Sequence, residues 1–205
     1  YYVADLRMKK ALLKELLKDE DVKQAIIFTA TKKTADELAD ALYDDGIEAA
    51  ALHGDLRQAA RTRTITALRS KRLRFLVATD VAARGIDVAG ISHIFNFDLP
   101  RVPEDYVHRI GRTGRAGAKG VAIALAYPKE RWQVKQIESY TGQPIKLSVK
   151  EGFEAPTFAK PQKFAGRGAE KSGDRSRGAG RAGGNRNSAP QRNDRRGESS
   201  KRPAR

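Results

Sequence analysis

Four short apolar runs punctuate the first half of the chain, at residues 24–28 (QAIIF), 48–52, 75–78 (FLVA) and 93–97. Runs this short read as strands, and their near-continuous apolar character predicts strands covered on both faces. The stretches between them have a different period. Residues 31–44 and 58–70 place apolar side chains at amphipathic-helix spacing, and Gly46 stands where a left-handed residue would stop the first of these helices. Upstream, residues 11–17 put Leu12, Leu13, Leu16 and Leu17 on one helical stripe. Downstream, helices are expected at 103–110 and 129–140, around a strand at 121–126, with a last strand at 145–147. Strand and helix alternate at βαβ spacing, which predicts an α/β fold: a mostly parallel sheet with helices on both faces.

This frame gives the unusual residues an address. Thr29 follows the first strand, His53-Gly54-Asp55 the second and Thr79-Asp80 the third. In open parallel sheets, ligands bind outside the carboxyl ends of the strands. Three polar clusters are therefore expected along one rim.

Three segments carry the chemistry. In residues 108–117 (HRIGRTGRAG), Arg109, Arg112 and Arg115 interleave with Gly111, Gly114 and Gly117. A guanidinium is always charged and offers two donors at once to phosphate oxygens, and glycine lets backbone come close to a ligand. The pattern suits a polyphosphate. Residues 78–87 (ATDVAARGID) leave a strand with a hydroxyl and a carboxylate and end on Gly85-Ile86-Asp87. Asp87 is suited either to a ribose hydroxyl or to an ion pair with Arg84; Asp80 is expected to cap the turn that follows it. In residues 53–61 (HGDLRQAAR), Gln58 and Arg61 stand three apart at a helix start and share a face that favours a phosphate backbone.

Together these segments, with IIFTAT at 26–31, resemble the motifs of the second RecA-like domain of DEAD-box RNA helicases, in that family's order and spacing. The opening YYVADLRMKKALL resembles the segment that enters that domain. The likeness covers roughly residues 1–145 and, with the short tail, looks like the bacterial members. It implies a RecA-like fold and a share in ATP-driven local unwinding of RNA duplexes. It implies that Arg112 and Arg115 contact the γ-phosphate of ATP, with Arg112 as the arginine finger, and that Asp87 binds the ribose. His108 and Arg109 would couple nucleotide state to a domain interface, and Arg84 would bridge it. Thr29, Gly54, Gln58, Arg61 and Thr79 would hold phosphates and 2′-hydroxyls of one RNA strand. The sequence contains no G-x-x-x-x-G-K-[ST] loop and no Asp-Glu-Ala-Asp run. ATP and its Mg²⁺ are therefore expected on an N-terminal RecA-like domain of the same protein, and this half by itself is expected to be inactive.

Charge supports a polyanionic partner. The net charge is +15 and the pI about 10.2. Residues 1–50 carry −3, residues 51–150 carry +10 and residues 151–205 carry +8. The division expected from this is a domain at 1–150 and a disordered Arg/Gly-rich tail at 151–205. From Gly166 onward there is no aromatic residue and no Leu, Ile or Val, too little apolar surface to offset chain entropy. The tail's Arg-Gly steps suit RNA tethering or solubilisation equally. Phe153, Phe158 and Phe164 in the junction either dock on the domain or do nothing.

With no cysteine, disulfides and thiolate sites are excluded; His53, His93 and His108 lack metal-ligand spacing, so no metal site is expected. The charged opening does not read as a signal peptide, and no apolar window reaches membrane-spanning length. A soluble, cytoplasmic monomer is the expectation. Two other functions stay open: a non-catalytic RNA-binding module that works through its tail, and half of a DNA-directed helicase.

Overall fold

The computed structural model describes residues 1–114 and 119–154. Helix α1 spans Leu6–Leu17, β1 Ala25–Thr29, α2 Lys32–Asp44, β2 Ala49–Leu52, α3 Gln58–Arg69 and β3 Phe75–Thr79. A short α4 at Asp80–Ala83 leads to β4 at His93–Asn96, α5 at Pro103–Ile110, β5 at Val121–Ala124 and α6 at Arg131–Thr141. All five strands are parallel, in the order β2-β3-β1-β4-β5.

The period of two along each strand explains the two layers. Ala25 and Ile27, Phe75 and Val77, and Phe95 face α1 and α2, where Leu12, Leu13, Leu38 and Leu42 meet them. Ile26 and Phe28, Leu76 and Ala78, and Ile94 turn to the other face, against Leu68 of α3 and Ala82 and Ala83 of α4. The three central strands are thus covered on both sides, whereas β5 is an exposed edge. Each of the fully buried Leu, Ile and Phe side chains contributes about 1.5–3 kcal/mol by leaving water. A third cluster joins Leu99 and Tyr106 to Ala126 and Ile137 beside that edge.

Local chemistry sets the boundaries. The Thr31 hydroxyl accepts from the Thr34 amide and starts α2; Asp5 does the same for α1 through the Met8 amide. Gly46, at φ +77°, ends the α2 turn as expected.

Two expected elements differ. Residues 145–147 form no strand: Gly142 closes α6 in the left-handed region, and the Ile145 amide donates to Glu138 Oε1 at 2.8 Å instead of to a sheet neighbour. The strand expected at 121–126 stops at Ala124, because the chain then pairs with the N-terminal residues, Tyr2 lying against Ala126. Phe153 packs on the α1/α2 layer, so the folded chain runs past residue 150. Phe158, Phe164 and the tail at 155–205 lie outside the described residues.

His93 brings a pH dependence into the core. It is buried at the start of β4, stacks on Phe95 with ring centroids 6.0 Å apart and meets the Ser92 hydroxyl at 3.0 Å. Burial pushes its imidazole below the ordinary value of 6.5, against the opposing pull of Asp19 and Asp21. A depressed histidine binds its proton more weakly in the folded chain than in the unfolded one. Its stability contribution is therefore complete above pH ~6.5 and is lost as pH falls toward the folded value. The urea midpoint is expected to drop between pH 7.5 and 5.5, and His93→Phe to shrink that drop. An unchanged pH difference in the variant would refute the assignment.

Candidate nucleotide and nucleic-acid interface

The sheet order brings the three strand-end clusters together. Strands β2, β3 and β1 are neighbours, Thr79 is in direct register with Thr29, and Leu52, the residue before His53, with Ala78. The carboxyl rim therefore carries His53-Gly54-Asp55, Thr79-Asp80 and Thr29 side by side. His53 is buried and bonds Asp36 of α2 at 2.7 Å, which fixes the turn before exposed Gly54. Gln58 is exposed at the start of α3; Arg61 is partly covered and donates to the Ala82 carbonyl at 2.7 Å. Thr79 is partly exposed. Thr29 differs from these four: it is fully buried, and its hydroxyl donates to the Thr31 carbonyl at 3.3 Å.

The rim continues into α5. Arg109, on its inner face, is 2% exposed. Its Nε and Nη2 donate to the two carboxylate oxygens of Asp80 at 2.6 and 2.7 Å. Its Nη1 donates to Asn96 Oδ1 at 2.8 Å and to the Asp98 carbonyl at 2.6 Å, and the guanidinium lies over the Phe28 ring at 4.9 Å. This fork turns Asn96 Oδ1 inward and leaves Asn96 Nδ2 without a hydrogen-bond partner among the described residues. Asp80 therefore does not cap the turn after β3 but is held by Arg109. The sequence signal was present in a Thr-Asp step after a buried strand and a His-Arg step in a helix, but spacing alone could not pair them. The Arg109 guanidinium is thus engaged by Asp80, Asn96 and the Asp98 carbonyl, joining the ends of β3 and β4 to α5.

Arg84, His108 and Arg112 lie on the outer side of this pair and, with Asp80 and Asp105, line one small depression. Arg84 pairs with Asp105 at 3.2 Å. Arg112 Nη1 donates to the Ile86 carbonyl at 3.0 Å, which sets its guanidinium beside exposed Asp87 in the chain. The turn between Arg84 and Asp87 needs Gly85, whose φ of +76° a Cβ would strain. The donor set fits a nucleotide: two guanidiniums, an imidazole and a solvent-facing carboxylate suit phosphate oxygens and a ribose. Arg115 and Gly117 lie outside the described residues.

A second buried cation had no reading from sequence. Lys9 is fully buried beneath the rim, 3.4 Å from Asp98 Oδ1, with the Phe97 and Tyr127 rings 4.9 and 4.5 Å from its nitrogen. Burial pushes its ammonium below the ordinary lysine range, while Asp98 and Glu130 oppose the shift. The other Asp98 oxygen accepts from the Ala30 amide at 2.8 Å, so this carboxylate ties the end of β4 to the end of β1.

Comparison with known proteins agrees with this fold. The family described as the helicase conserved C-terminal domain matches residues 8–117. The DEAD-box ATP-dependent RNA helicase CshA of Bacillus cereus is 43% identical over 158 residues, covering 77% of this chain and 29% of that protein. The crystal structure of the Escherichia coli DEAD-box protein SrmB bound to RraA superposes with a TM-score of 0.74 at 42% identity, covering 78% of this chain and 94% of that one. Saccharomyces cerevisiae Dbp5 bound to RNA and ADP BeF3 gives a TM-score of 0.66 at 40% identity over 72% of this chain and 39% of that one. The chain belongs to the DEAD-box helicase family as its RecA-like C-terminal domain. It spans about a third of the length of the curated relatives it matches.

Proposed function

We propose that this domain is the second half of an ATP-dependent RNA helicase, supplying an arginine finger and half of an RNA groove to a RecA-like first domain that holds ATP and Mg²⁺. The observation that carries this reading is the meeting of Arg84, His108 and Arg112 with Asp80 and Asp105 on the rim that also bears the strand-end clusters. ATP is the substrate of the completed enzyme and supplies the phosphoryl group transferred to water. Arg112 and Arg115 contact its γ-phosphate, Asp87 its ribose, and Arg84 and His108 the facing domain. Gly54, Gln58, Arg61 and Thr79 hold phosphates and 2′-hydroxyls of one RNA strand; Thr29 shapes their backbone from beneath. The protein works as a cytoplasmic monomer. Among the described residues no helix is long and apolar enough to cross a membrane.

The tail's charge favours a second, additive role as an RNA tether. With +8 over 55 residues it raises the local RNA concentration without selecting sequence. The test is an RNA titration of residues 1–154 beside the whole chain at low and moderate salt. Both are expected to bind, the shorter chain more weakly and with a flatter salt dependence. Loss of all binding in the shorter chain would overturn the RNA site on the rim. Joined to a first domain, the protein should hydrolyse ATP in response to RNA and not to DNA of the same sequence; equal stimulation would favour a DNA-directed helicase.

A further inference from the structure

Between Leu56 and Thr79 the chain has seven Lys and Arg residues and no Asp or Glu. Two of the seven are engaged with backbone: Arg61 with the Ala82 carbonyl and Arg74 with the Val22 carbonyl. None of the ion pairs among the described residues draws a cation from this tract, although Lys9, Lys14, Lys18, Lys32 and Lys33 all have acidic partners. Arg57, Arg63, Arg69, Lys71 and Arg72 are exposed. Thr62 and Thr66 stand between them on the outer face of α3, and with Arg63, Ala67 and Arg72 they line an open hollow of about 380 Å³.

The placement has a direction. Helix α3 runs back against the parallel strands, so Gln58 lies at the carboxyl rim and the turn 70–74 at the amino ends of the strands. Its 12 residues span about 18 Å. The basic face therefore starts at the RNA-facing rim and leads away from it.

Lys71 supplies an independent observation. The Arg72 amide bonds back to the Ala67 carbonyl and the Lys71 amide to the Leu68 carbonyl, a helix stop that puts Lys71 in the left-handed region. At φ +58° it is the only residue other than glycine with a positive φ among those described. Glycine is the residue that this stop favours, so a lysine here keeps a charge at the expense of backbone strain.

We propose that the outer face of α3 and the turn after it form a second RNA track, which holds the phosphodiester backbone of RNA continuing past the strand-end rim. The proposal rests on the RNA-binding reading of that rim and extends it by about the length of the helix. Guanidiniums and threonine hydroxyls without a base-reading pocket contact phosphates and do not choose sequence.

The test uses the whole chain and the variant Arg63→Gln/Arg69→Gln/Lys71→Gln, titrated with RNAs of about 6 and about 20 nucleotides. The variant is expected to lose affinity for the longer RNA by roughly tenfold or more, to flatten its salt slope by about 2, and to bind the shorter RNA as before. Unchanged binding of the longer RNA would overturn the track and leave the rim reading standing. Gln58→Ala acts at the rim and should weaken both RNAs; its having no effect would sink the rim reading instead. Displacement of the longer RNA by polyglutamate as readily as by unlabelled RNA would overturn an RNA track in favour of an acidic protein partner. Lys71→Gly separates function from folding: it should raise Tm by ~2–4 °C while weakening the longer RNA. A raised Tm with unchanged affinity would overturn the role of Lys71.

Discussion

Arg109→Ala is expected to destabilise the domain by about 3–5 kcal/mol, a large part of the ~5–15 kcal/mol that holds a domain of this size together. The loss is large because the guanidinium is almost wholly buried and makes four hydrogen bonds. Its removal leaves the Asp80 carboxylate without the fork that engages both oxygens, and takes the donors from Asn96 Oδ1 and the Asp98 carbonyl. A buried acceptor stripped of its donor keeps its full desolvation cost. Arg109→Lys should recover less than half of the loss, since one ammonium cannot face a carboxylate, an amide and a carbonyl together. Urea unfolding followed by circular dichroism measures both. A midpoint for Arg109→Ala within about 1 kcal/mol of the parent would refute the account.

Arg112→Ala should behave in the opposite way. Arg112 is partly exposed and, among the described residues, its side chain makes one hydrogen bond, to the Ile86 carbonyl, so its removal should barely move the unfolding midpoint. In a two-domain protein that joins this chain to a DEAD-box first domain, RNA-stimulated ATP hydrolysis should fall by ~10³–10⁵, equal to about 4–7 kcal/mol of transition-state stabilisation. RNA affinity should stay near normal, because the RNA contacts proposed at Gly54, Gln58, Arg61 and Thr79 are left intact. The two arginines thus separate folding from chemistry three residues apart in one sequence. Near-normal turnover in Arg112→Ala would remove it from the role of arginine finger.

How much of this was legible in the sequence follows from burial. The central strands were readable because a strand covered on both faces is apolar at nearly every position: 75–78 is wholly apolar, and 24–28 and 93–97 are interrupted only by Gln24, His93 and Asn96. The edge was harder. Ile145 is apolar because it packs in the third cluster, but its amide is taken by Glu138, and no periodicity reports which partner an amide chooses. The strand-end clusters were placed correctly because their positions follow from connectivity alone. Pairing was not legible: Asp80 read as a cap because local spacing favours local bonds, whereas its partner stands 29 residues away. Lys9 sits three and four residues before Leu12 and Leu13, on the buried stripe, so its position was in the pattern; the general exposure of lysine argued against it, and two aromatic rings and Asp98 override that tendency here.

The bond between Asp80 and Arg109 has a mechanical consequence. Asp80 is bonded in the chain to Thr79, at the end of β3, and Arg109 is three residues from Arg112, at the end of α5. A two-toothed clamp between them braces the start of α4 against the end of α5. A bidentate bond resists rotation as well as extension, so the end of β3 at Thr79 and the chain leaving α5 at Arg112 are expected to shift together rather than independently.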